Sequence, residues 1–271
     1  ILLPVITLAI EAVVFRFQSS SGTVDRRVVV WHVAFVIAPA MMGVAWLAFD
    51  PQRFLSGYAV RDFSLVERLL TEGRVLLVYL KNLVAPSIIE LGLYHDDIVI
   101  SRGLFDPATT LPALVALVSL VGLAWYARNR IPLVSLGILW FFAGHLMEST
   151  ILPLEIAHEH RNYVPTFGFA LAAAGLANSL ALVRCPRWVP SVSLTLFVGL
   201  LGLTTWLRST QWSNPYEHVE SEIRHHPRSS RANYDAGRLW GMLAMRGESN
   251  AAKRAIEHFE HAAELDPGST M

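Results

Sequence analysis

The stretch from Thr109 to Tyr126, TTLPALVALVSLVGLAWY, contains no charged residue and is rich in leucine and valine. The hydrocarbon core of a bilayer is about 30 Å thick and needs about 20 mostly apolar residues in a helix, so this stretch predicts a membrane-spanning helix. Similar apolar runs lie on both sides of it, separated by charged loops. The composition agrees, because charged residues make up 16% of the 271 residues and the mean hydropathy is +0.42.

The sequence therefore predicts an all-α, polytopic transmembrane helical bundle. A further segment, Phe63–Pro86, has helical periodicity but carries five charged side chains, which are costly in hydrocarbon. That segment fits a helix lying in the membrane interface or one lining a polar cavity, and we do not count it as a simple span. The six predicted spans are Ile1–Phe15, Val28–Phe49, Thr109–Tyr126, Leu133–Met147, Tyr163–Val183 and Val189–Leu207.

Basic residues in alternate short loops indicate the orientation, because arginine and lysine concentrate in cytoplasmic loops. With six alternating spans, the arginine-rich loops are predicted to be cytoplasmic. The acidic loops 50–106 and 148–163, and everything after Arg208, then face the periplasm or an organelle lumen. The loop arginines are Arg16, Arg26, Arg27, Arg128, Arg130, Arg184 and Arg187.

The composition excludes two classes of protein. The formal net charge is zero, which gives no support for nucleic-acid binding. The one cysteine, Cys185, excludes an intramolecular disulfide framework. The chain starts inside an apolar run and stops after a helical-repeat pattern, so we expect it to be a fragment of a longer protein.

Residues 208–271 change to a water-soluble, helical composition and predict the start of a tetratricopeptide region, after a membrane domain that covers residues 1–207. Glycine in the first helix permits a close helix approach, and an extended turn is expected near Arg246–Asn250. An unrelated amphipathic helical hairpin is the alternative. The residues that fit the repeat are Tyr234, Gly237 and Trp240 in a first helix, and Ala255, Phe259, Ala262 and Pro267 in a second.

Two polar clusters in the predicted non-cytoplasmic loops are the candidate functional sites. Carboxylates can serve as general bases toward a hydroxyl acceptor, and arginine can hold a phosphate with two parallel hydrogen bonds. His145 and Glu148, three residues apart, are predicted to share one helix face. The first cluster contains His95, Asp96, Asp97 and Arg102. The second contains Glu148, Glu155, His158, Glu159, His160, Arg161 and Tyr163.

Simpler interpretations of the same residues stay open. Asp96 and Asp97 could form a solvated turn, and Glu155 and Glu159 could flank a helix end. Arg161 could be an interfacial anchor with an exposed head group. His32 lies in mid-span and is expected to be a packing histidine. The histidines and carboxylates of the two clusters could bind a divalent metal by ligand type, but their spacing matches no closed metal motif.

The run Trp140–Thr150, WFFAGHLMEST, followed by Pro153-Leu154-Glu155 and by Glu159–Pro165, EHRNYVP, resembles bacterial relatives of the transmembrane and TPR repeat-containing proteins. Those proteins resemble protein O-mannosyltransferases of the GT-C glycosyltransferase superfamily. The resemblance extends over Leu69–Pro165, and the order of membrane domain and repeats agrees. It implies transfer of a mannose-like sugar from a polyprenyl-phosphate donor to serine or threonine of a protein, at the bacterial inner membrane with the repeats in the periplasm.

The same resemblance implies roles for individual residues. GT-C enzymes carry an acidic catalytic residue in the first non-cytoplasmic loop, which this sequence starts too late to include. Asp97, Glu159 and His160 are predicted to be catalytic. No resident cofactor is expected, and a divalent metal is not supported. Substrate binding is assigned to Arg161, Tyr163, His95, Asp96, Glu148 and Arg102.

Three functions remain as alternatives. The first is a lipid-linked glycosyltransferase, with an oligosaccharyltransferase or polymerase as a close variant. The second is a membrane-anchored scaffold whose repeats recruit a protein or peptide partner. The third is a transporter, which the concentration of charges in loops and at span ends disfavours. The lipid bilayer is a partner in each.

Overall fold

The computed structural model describes residues 2–87, 89, 91–182, 186 and 188–268. Within these residues it contains helices and no β-strand, so the predicted all-α class is confirmed. The chain divides into two compact units. The first comprises Ile1–Leu83, Ile100–Glu155 and His160–Leu194, and the second comprises Val84–Val99, Ile156–Glu159 and Thr195–Met271.

Most of the helices follow one another with short connections, and two longer segments, residues 85–109 and 146–162, lie between helices. Wide helical turns occur at Glu11–Phe15, after the helix Leu2–Ile10, and at Val33–Ile37, between the helices Arg26–His32 and Ala38–Phe49. Pro39 is the second residue of the helix Ala38–Phe49 and has no amide hydrogen to donate, which accounts for the widened turn before that helix. The helices are α1 (Leu2–Ile10), α2 (Arg26–His32), α3 (Ala38–Phe49), α4 (Pro51–Leu55), α5 (Leu65–Val84), α6 (Thr110–Ala127), α7 (Pro132–His145), α8 (Tyr163–Leu182), α9 (Trp188–Ser213), α10 (Pro215–His225), α11 (Ser230–Met245) and α12 (Ala251–Leu265).

Three helices of the described chain, fewer than the predicted six, are long and apolar enough to cross a membrane: Arg26–Phe49, Thr110–Ala127 and Trp188–Ser213. Two of the other predicted spans form shorter apolar helices, Leu2–Phe15 and Pro132–His145. The 14 residues of α7 extend only about 21 Å at 1.5 Å per residue, which is less than the hydrocarbon thickness. α8 has 20 residues, and Val183, the predicted end of its span, lies outside the described residues.

Close backbone contact holds α7 and α8 together in the first unit. A Cβ atom at Gly137 would lie 2.3 Å from the carbonyl oxygen of Gly168, and one at Gly168 would lie 2.5 Å from the carbonyl oxygen of Gly137. Only glycine at both positions permits this approach. α1 and the wide turn after it pack against α7 through Ala9, Val13 and Leu136. The result is a close-packed group of three helices beside the polar loop 146–162.

His32 is a packing residue, as predicted. Its ring is buried and makes edge contacts with Phe17 and Trp31. Its Nδ1 atom lies 2.9 Å from the carbonyl oxygen of Val28, one helical turn earlier. Two other residues named from the sequence, Arg184 and Cys185, lie outside the described residues together with Arg187.

In the second unit, α11 and α12 form a helical hairpin. α11 ends at Met245 and α12 begins at Ala251, so the predicted extended turn is confirmed. A Cβ atom at Gly237 would lie 2.7 Å from ring carbon Cδ1 of Phe259, which confirms that glycine permits the close helix approach. The identity of this hairpin as a tetratricopeptide repeat, and the domain boundary at residue 207, stay predictions.

Candidate functional site

The buried face of α5 is polar in its first half and includes Val75 and Tyr79 in its second half. The helix buries Arg68, Thr71 and Glu72 completely or almost completely, and it exposes Leu69 and Val78. Of the two interpretations of this segment, a helix that lines a polar interior is therefore favoured. A reciprocal cap fixes the start of α5.

The cap at the start of α5 is formed by Ser64 and Glu67. The backbone N–H of Ser64 donates to Oε2 of Glu67 over 2.7 Å, and the Glu67 N–H donates back to the Ser64 hydroxyl oxygen over 3.4 Å. These bonds and the guanidinium of Arg102 lower the pKa of Glu67 to about 2. Arg102, predicted to bind substrate, thus pairs with Glu67 over 2.9 Å.

The guanidinium of Arg68 donates hydrogen bonds to backbone carbonyl oxygens of the loop that follows α7. It donates hydrogen bonds to the carbonyl oxygens of Glu148 (2.7 Å) and Thr150 (3.0 Å). Two further bonds reach the carbonyl oxygens of Leu154 and Glu155. A loop whose carbonyls are engaged by one buried cation has little freedom to move its backbone.

Two more side chains hold the same loop. The Tyr58 hydroxyl donates to the carbonyl oxygen of Ile151 over 2.6 Å, and Nε of Arg61 donates to that of Pro153 over 3.1 Å. Every one of these donors comes from residues 58–68, at or just before the start of α5. The segment 58–68 therefore acts as a clamp on residues 148–155.

Four charged side chains close a ring beside this clamp. Nη2 of Arg68 lies 2.8 Å from Oε1 of Glu72, and Nη1 of Arg161 lies 3.8 Å from the same oxygen. Nε of Arg161 lies 3.2 Å from Oε2 of Glu148. The carbonyl of Glu148 returns to Arg68 and completes the ring. When Glu72 is ionised, the two positive and two negative charges balance, which is the arrangement that buried charges require.

The members of the ring differ in exposure. The side chains of Arg68, Glu72 and Arg161 are 0%, 2% and 4% exposed, whereas that of Glu148 is 31% exposed. Burial raises the pKa of Glu72 to about 7, although the two arginines act in the opposite direction. Arg161 lies too deep for the exposed anchor considered from the sequence. Glu148 is the member through which the ring reaches the surface.

His145 adds a polar extension to the ring. Its Nε2 atom lies 3.2 Å from Oδ1 of Asn162, its Nδ1 lies 3.4 Å from the hydroxyl of Ser149, and its ring stacks on Tyr79. The prediction that His145 and Glu148 share a helix face is wrong. α7 ends at His145, because the chain turns into the clamped loop, and Glu148 lies beyond the end of the helix.

Other predicted residues of the second cluster do not belong to the ring. Tyr163 begins α8 with 75% of its surface exposed, and His160 is also exposed. Glu159 belongs to the second unit, where its Oε1 lies 3.7 Å from Nε2 of His95. Of this cluster, Glu148 and Arg161 lie in contact with each other in the ring.

Within the second unit, Asp97 and Asp96 bind the helical region. Nδ1 of His226 lies 2.9 Å from Oδ2 of Asp97, and the ion pair raises the pKa of His226. Burial raises the pKa of Asp97, but the bond from His226 outweighs burial and the net pKa lies below its usual value. Asp96 accepts hydrogen bonds from the Ser229 hydroxyl and the backbone N–H of Arg231, at the start of α11.

Two further hydrogen bonds connect the residues just before Asp96 to α10 and α11. The Tyr94 hydroxyl donates to a carboxylate oxygen of Asp235 in α11, and the Leu93 N–H donates to Oε2 of Glu222 in α10 over 2.8 Å. Oε1 of Glu222 also forms an ion pair with Nη2 of Arg208 over 3.1 Å. Asp96 and Asp97 of the first predicted cluster therefore have a structural role, because they hold their segment against the helical region.

No group of three or more histidine, cysteine, aspartate or glutamate side chains in the described part of the chain is arranged to hold a metal ion. Arg68 and Glu72 are the site residues that the sequence interpretation missed. Their spacing of four residues and the Ser64–Glu67 capping pattern were visible signals, since both point to a defined helix with an internal ion pair. Their partner loop was not visible, because it follows 80 residues later.

Comparison with known proteins gives no match to a protein family, to a curated protein or to a solved structure. The candidate site is therefore interpreted from its geometry and chemistry.

Proposed function

We propose that this chain is part of a membrane glycosyltransferase that moves a mannose-like sugar from a polyprenyl-phosphate donor to serine or threonine of a protein. The observation that carries the proposal is the charge-balanced ring of Arg68, Glu72, Arg161 and Glu148, open to the surface at Glu148. Charged residues inside a membrane-associated helical unit are costly, and they mark substrate sites more often than packing sites.

The proposed chemistry assigns each group one role. Arg161 binds the donor phosphate, because a planar guanidinium matches two phosphate oxygens. A carboxylate takes the proton of the acceptor hydroxyl as its oxygen bonds to the anomeric carbon, and the bond from that carbon to the phosphate oxygen breaks. Asp97, Glu159 and His160 stay the predicted catalytic residues. His95, Asp96, Arg102 and Tyr163 stay predicted to position substrate.

The proposed topology has six spans, with the C-terminal repeats in the periplasm of a bacterial inner membrane. The hydrogen bonds from Arg68 to residues 148–155 support this topology, since they require segments 58–68 and 148–155 to share one membrane face. α6 and α7, which lie between the two segments, then cross as a pair in the proposed topology. A cysteine placed at Lys253, in a Cys185→Ser background, is expected to react with a membrane-impermeant maleimide added to whole spheroplasts. Reaction only after permeabilisation would reverse the orientation.

Sugar transfer tests the function directly. The purified full-length protein receives radiolabelled polyprenyl-phosphate mannose and candidate periplasmic proteins, beside Arg161→Lys and Arg161→Gln variants. Arg238→Gln, an exposed side chain of α11, is the matched control and should retain the wild-type rate. Transfer that is lost in both site variants and kept in the control supports the proposal. Absence of transfer from every lipid-linked donor, in a folded sample, would refute it.

A membrane-anchored scaffold is the second candidate function, and one observation favours it. Asp96 and Asp97 are used in holding the segment 91–97 to α10 and α11, which a binding surface built on those helices would need. The scaffold predicts that Glu148→Gln leaves function intact, whereas Asp97→Asn abolishes partner binding. An oligosaccharyltransferase or polymerase that moves preassembled glycans is a variant of the first proposal, separated from it by the length of the glycan transferred.

A further inference from the structure

A tight turn just before α6 presents two apolar side chains at its tip. The N–H of Gly103 donates to the carbonyl oxygen of Asp106 over 3.2 Å, and the Asp106 N–H donates back to that of Gly103 over 3.4 Å. The two residues between them, Leu104 and Phe105, are 45% and 76% exposed. Turn tips that face water usually carry glycine, proline, asparagine, aspartate or serine, so the apolar pair indicates an apolar environment.

The turn folds back onto the first turn of α6. The carbonyl oxygen of Leu104 accepts a hydrogen bond from the N–H of Leu111 over 3.0 Å, and that of Pro107 accepts one from Thr110 over 2.9 Å. The first N–H groups of a helix have no partner within the helix, and the turn supplies partners for two of them. The tip therefore lies beside the first turn of α6 and does not extend beyond it.

Buried hydrogen bonds hold the arm that leads into the turn. The N–H of Ser101 donates to the hydroxyl of Thr71 in α5 over 2.8 Å, and the Ser101 hydroxyl lies 2.9 Å from that of Thr110. These three side chains are fully buried. Arg102, the next residue, pairs with Glu67 of α5 over 2.9 Å. The apolar tip thus cannot withdraw toward the protein without breaking these contacts.

The position of α6 decides what the tip meets. α6 is one of the described helices that are long and apolar enough to cross a membrane. Its 18 residues extend about 27 Å, close to the hydrocarbon thickness of about 30 Å, so a crossing α6 has its first turn at the edge of the hydrocarbon. Side chains further along the helix, such as Val115 and Val118, are exposed and apolar, as contact with lipid requires. The bilayer is therefore the apolar environment within reach of Leu104 and Phe105.

We propose that Leu104 and Phe105 insert into the interface of the bilayer beside the first turn of α6, and that they fix the depth of the turn. Removal of their apolar surface from water favours insertion. The charged groups on either side of the tip, Arg102 and Asp106, are exposed and lie in the head-group layer. The inference depends on α6 as a membrane span and is independent of the proposed sugar transfer.

Depth-dependent quenching tests the insertion. Phe105→Cys, in a Cys185→Ser background, is labelled with the fluorophore NBD and placed as full-length protein in nanodiscs. Its emission should shift to shorter wavelength, and a nitroxide near the head-group end of the acyl chain should quench it more than one at the bilayer centre. Val118→Cys, 72% exposed in the middle of α6, should show the opposite preference. Lys253→Cys, in an exposed position of α12, should emit as in water without quenching.

A second measurement uses the unlabelled wild type and so excludes insertion caused by the probe. A lipid with a diazirine near its head group, photolysed in the same nanodiscs, should label the peptide that contains Leu104 and Phe105, as read by mass spectrometry. Absence of this labelling would overturn the proposal.

The quenching data can overturn the proposal in three further ways. Emission from Phe105→Cys as in water, with Val118→Cys quenched at the bilayer centre, would place the tip in the aqueous phase. Emission at shorter wavelength without quenching by lipid would place the tip against protein. Absence of quenching at Val118→Cys would remove the span and the inference together.

Discussion

Replacement of Arg68 by methionine should destabilise the first unit strongly. The side chain is fully buried, donates to four carbonyl oxygens and pairs with Glu72 over 2.8 Å. Removal of one partner from a buried ion pair costs about 3–5 kcal/mol. We expect a value near the lower end, about 3 kcal/mol, because Arg161 stays 3.8 Å from Glu72 and the carboxyl can take up a proton.

Thermal unfolding in detergent, followed by circular dichroism, measures this effect. For a unit of this size, about 3 kcal/mol corresponds to a fall in the melting temperature of roughly 6–12 °C. Arg238→Met is the control, because Arg238 is 62% exposed and its contact with Asp235 is 3.6 Å long. An exposed pair contributes at most about 1 kcal/mol. Equal changes in the two variants would refute the assignment of Arg68 as the residue that holds loop 148–155.

The pH dependence gives the same experiment a second test. Burial raises the pKa of Glu72 to about 7 from its ordinary 4.5, so the folded state binds more protons than the unfolded state between these values. The contribution of Glu72 to stability is therefore largest below pH 4.5 and falls as the pH rises toward 7. Without Arg68, an ionised Glu72 has lost its closest partner. The difference in melting temperature between wild type and Arg68→Met should thus be larger at pH 8 than at pH 6, and a difference independent of pH would contradict the ion pair.

Three further predictions concern packing and the second unit. Gly237→Ala should lower the melting temperature of the α11–α12 hairpin, since its Cβ would lie 2.7 Å from an aromatic carbon of α12. By contrast, a Cβ at Gly241 would have nothing within 4 Å, so Gly241→Ala should raise stability by about 0.5–1 kcal/mol. Gly168→Ala should destabilise the contact of α7 and α8 by about 1–3 kcal/mol, measured by thermal unfolding, because its Cβ would lie 2.5 Å from a backbone oxygen that cannot rotate away. The free energy of unfolding of the second unit should be largest between pH 3.8 and 6.5. The pKa of His226 is raised, so its contribution to stability is lost as the pH rises above this range, and the pKa of Asp97 is lowered, so its contribution is lost as the pH falls below it. His226→Gln should abolish the alkaline part of this profile.

The sequence by itself determined the helical class and the location of the apolar runs. Helix periodicity, hydropathy and the Gly237 position depend on residues close together in the chain, so local pattern is enough to find them. The same reasoning predicts six spans, and three helices of the described chain are long and apolar enough to cross a membrane. Apolar composition continues past the ends of a helix, as it does after His145, and only the hydrogen-bonded geometry shows where α7 stops.

The composition of the site was decided by the tertiary structure. Arg68 had looked like an expensive charge on an amphipathic helix, yet its partners are the carbonyls of residues 148–155, which lie about 80 positions away along the chain. Residues that are close in the sequence also have different partners in space, because Glu159 lies near His95 whereas Arg161 lies near Glu148. A buried charge must find its counter-charge in space, and the sequence records the charges without recording which of them meet.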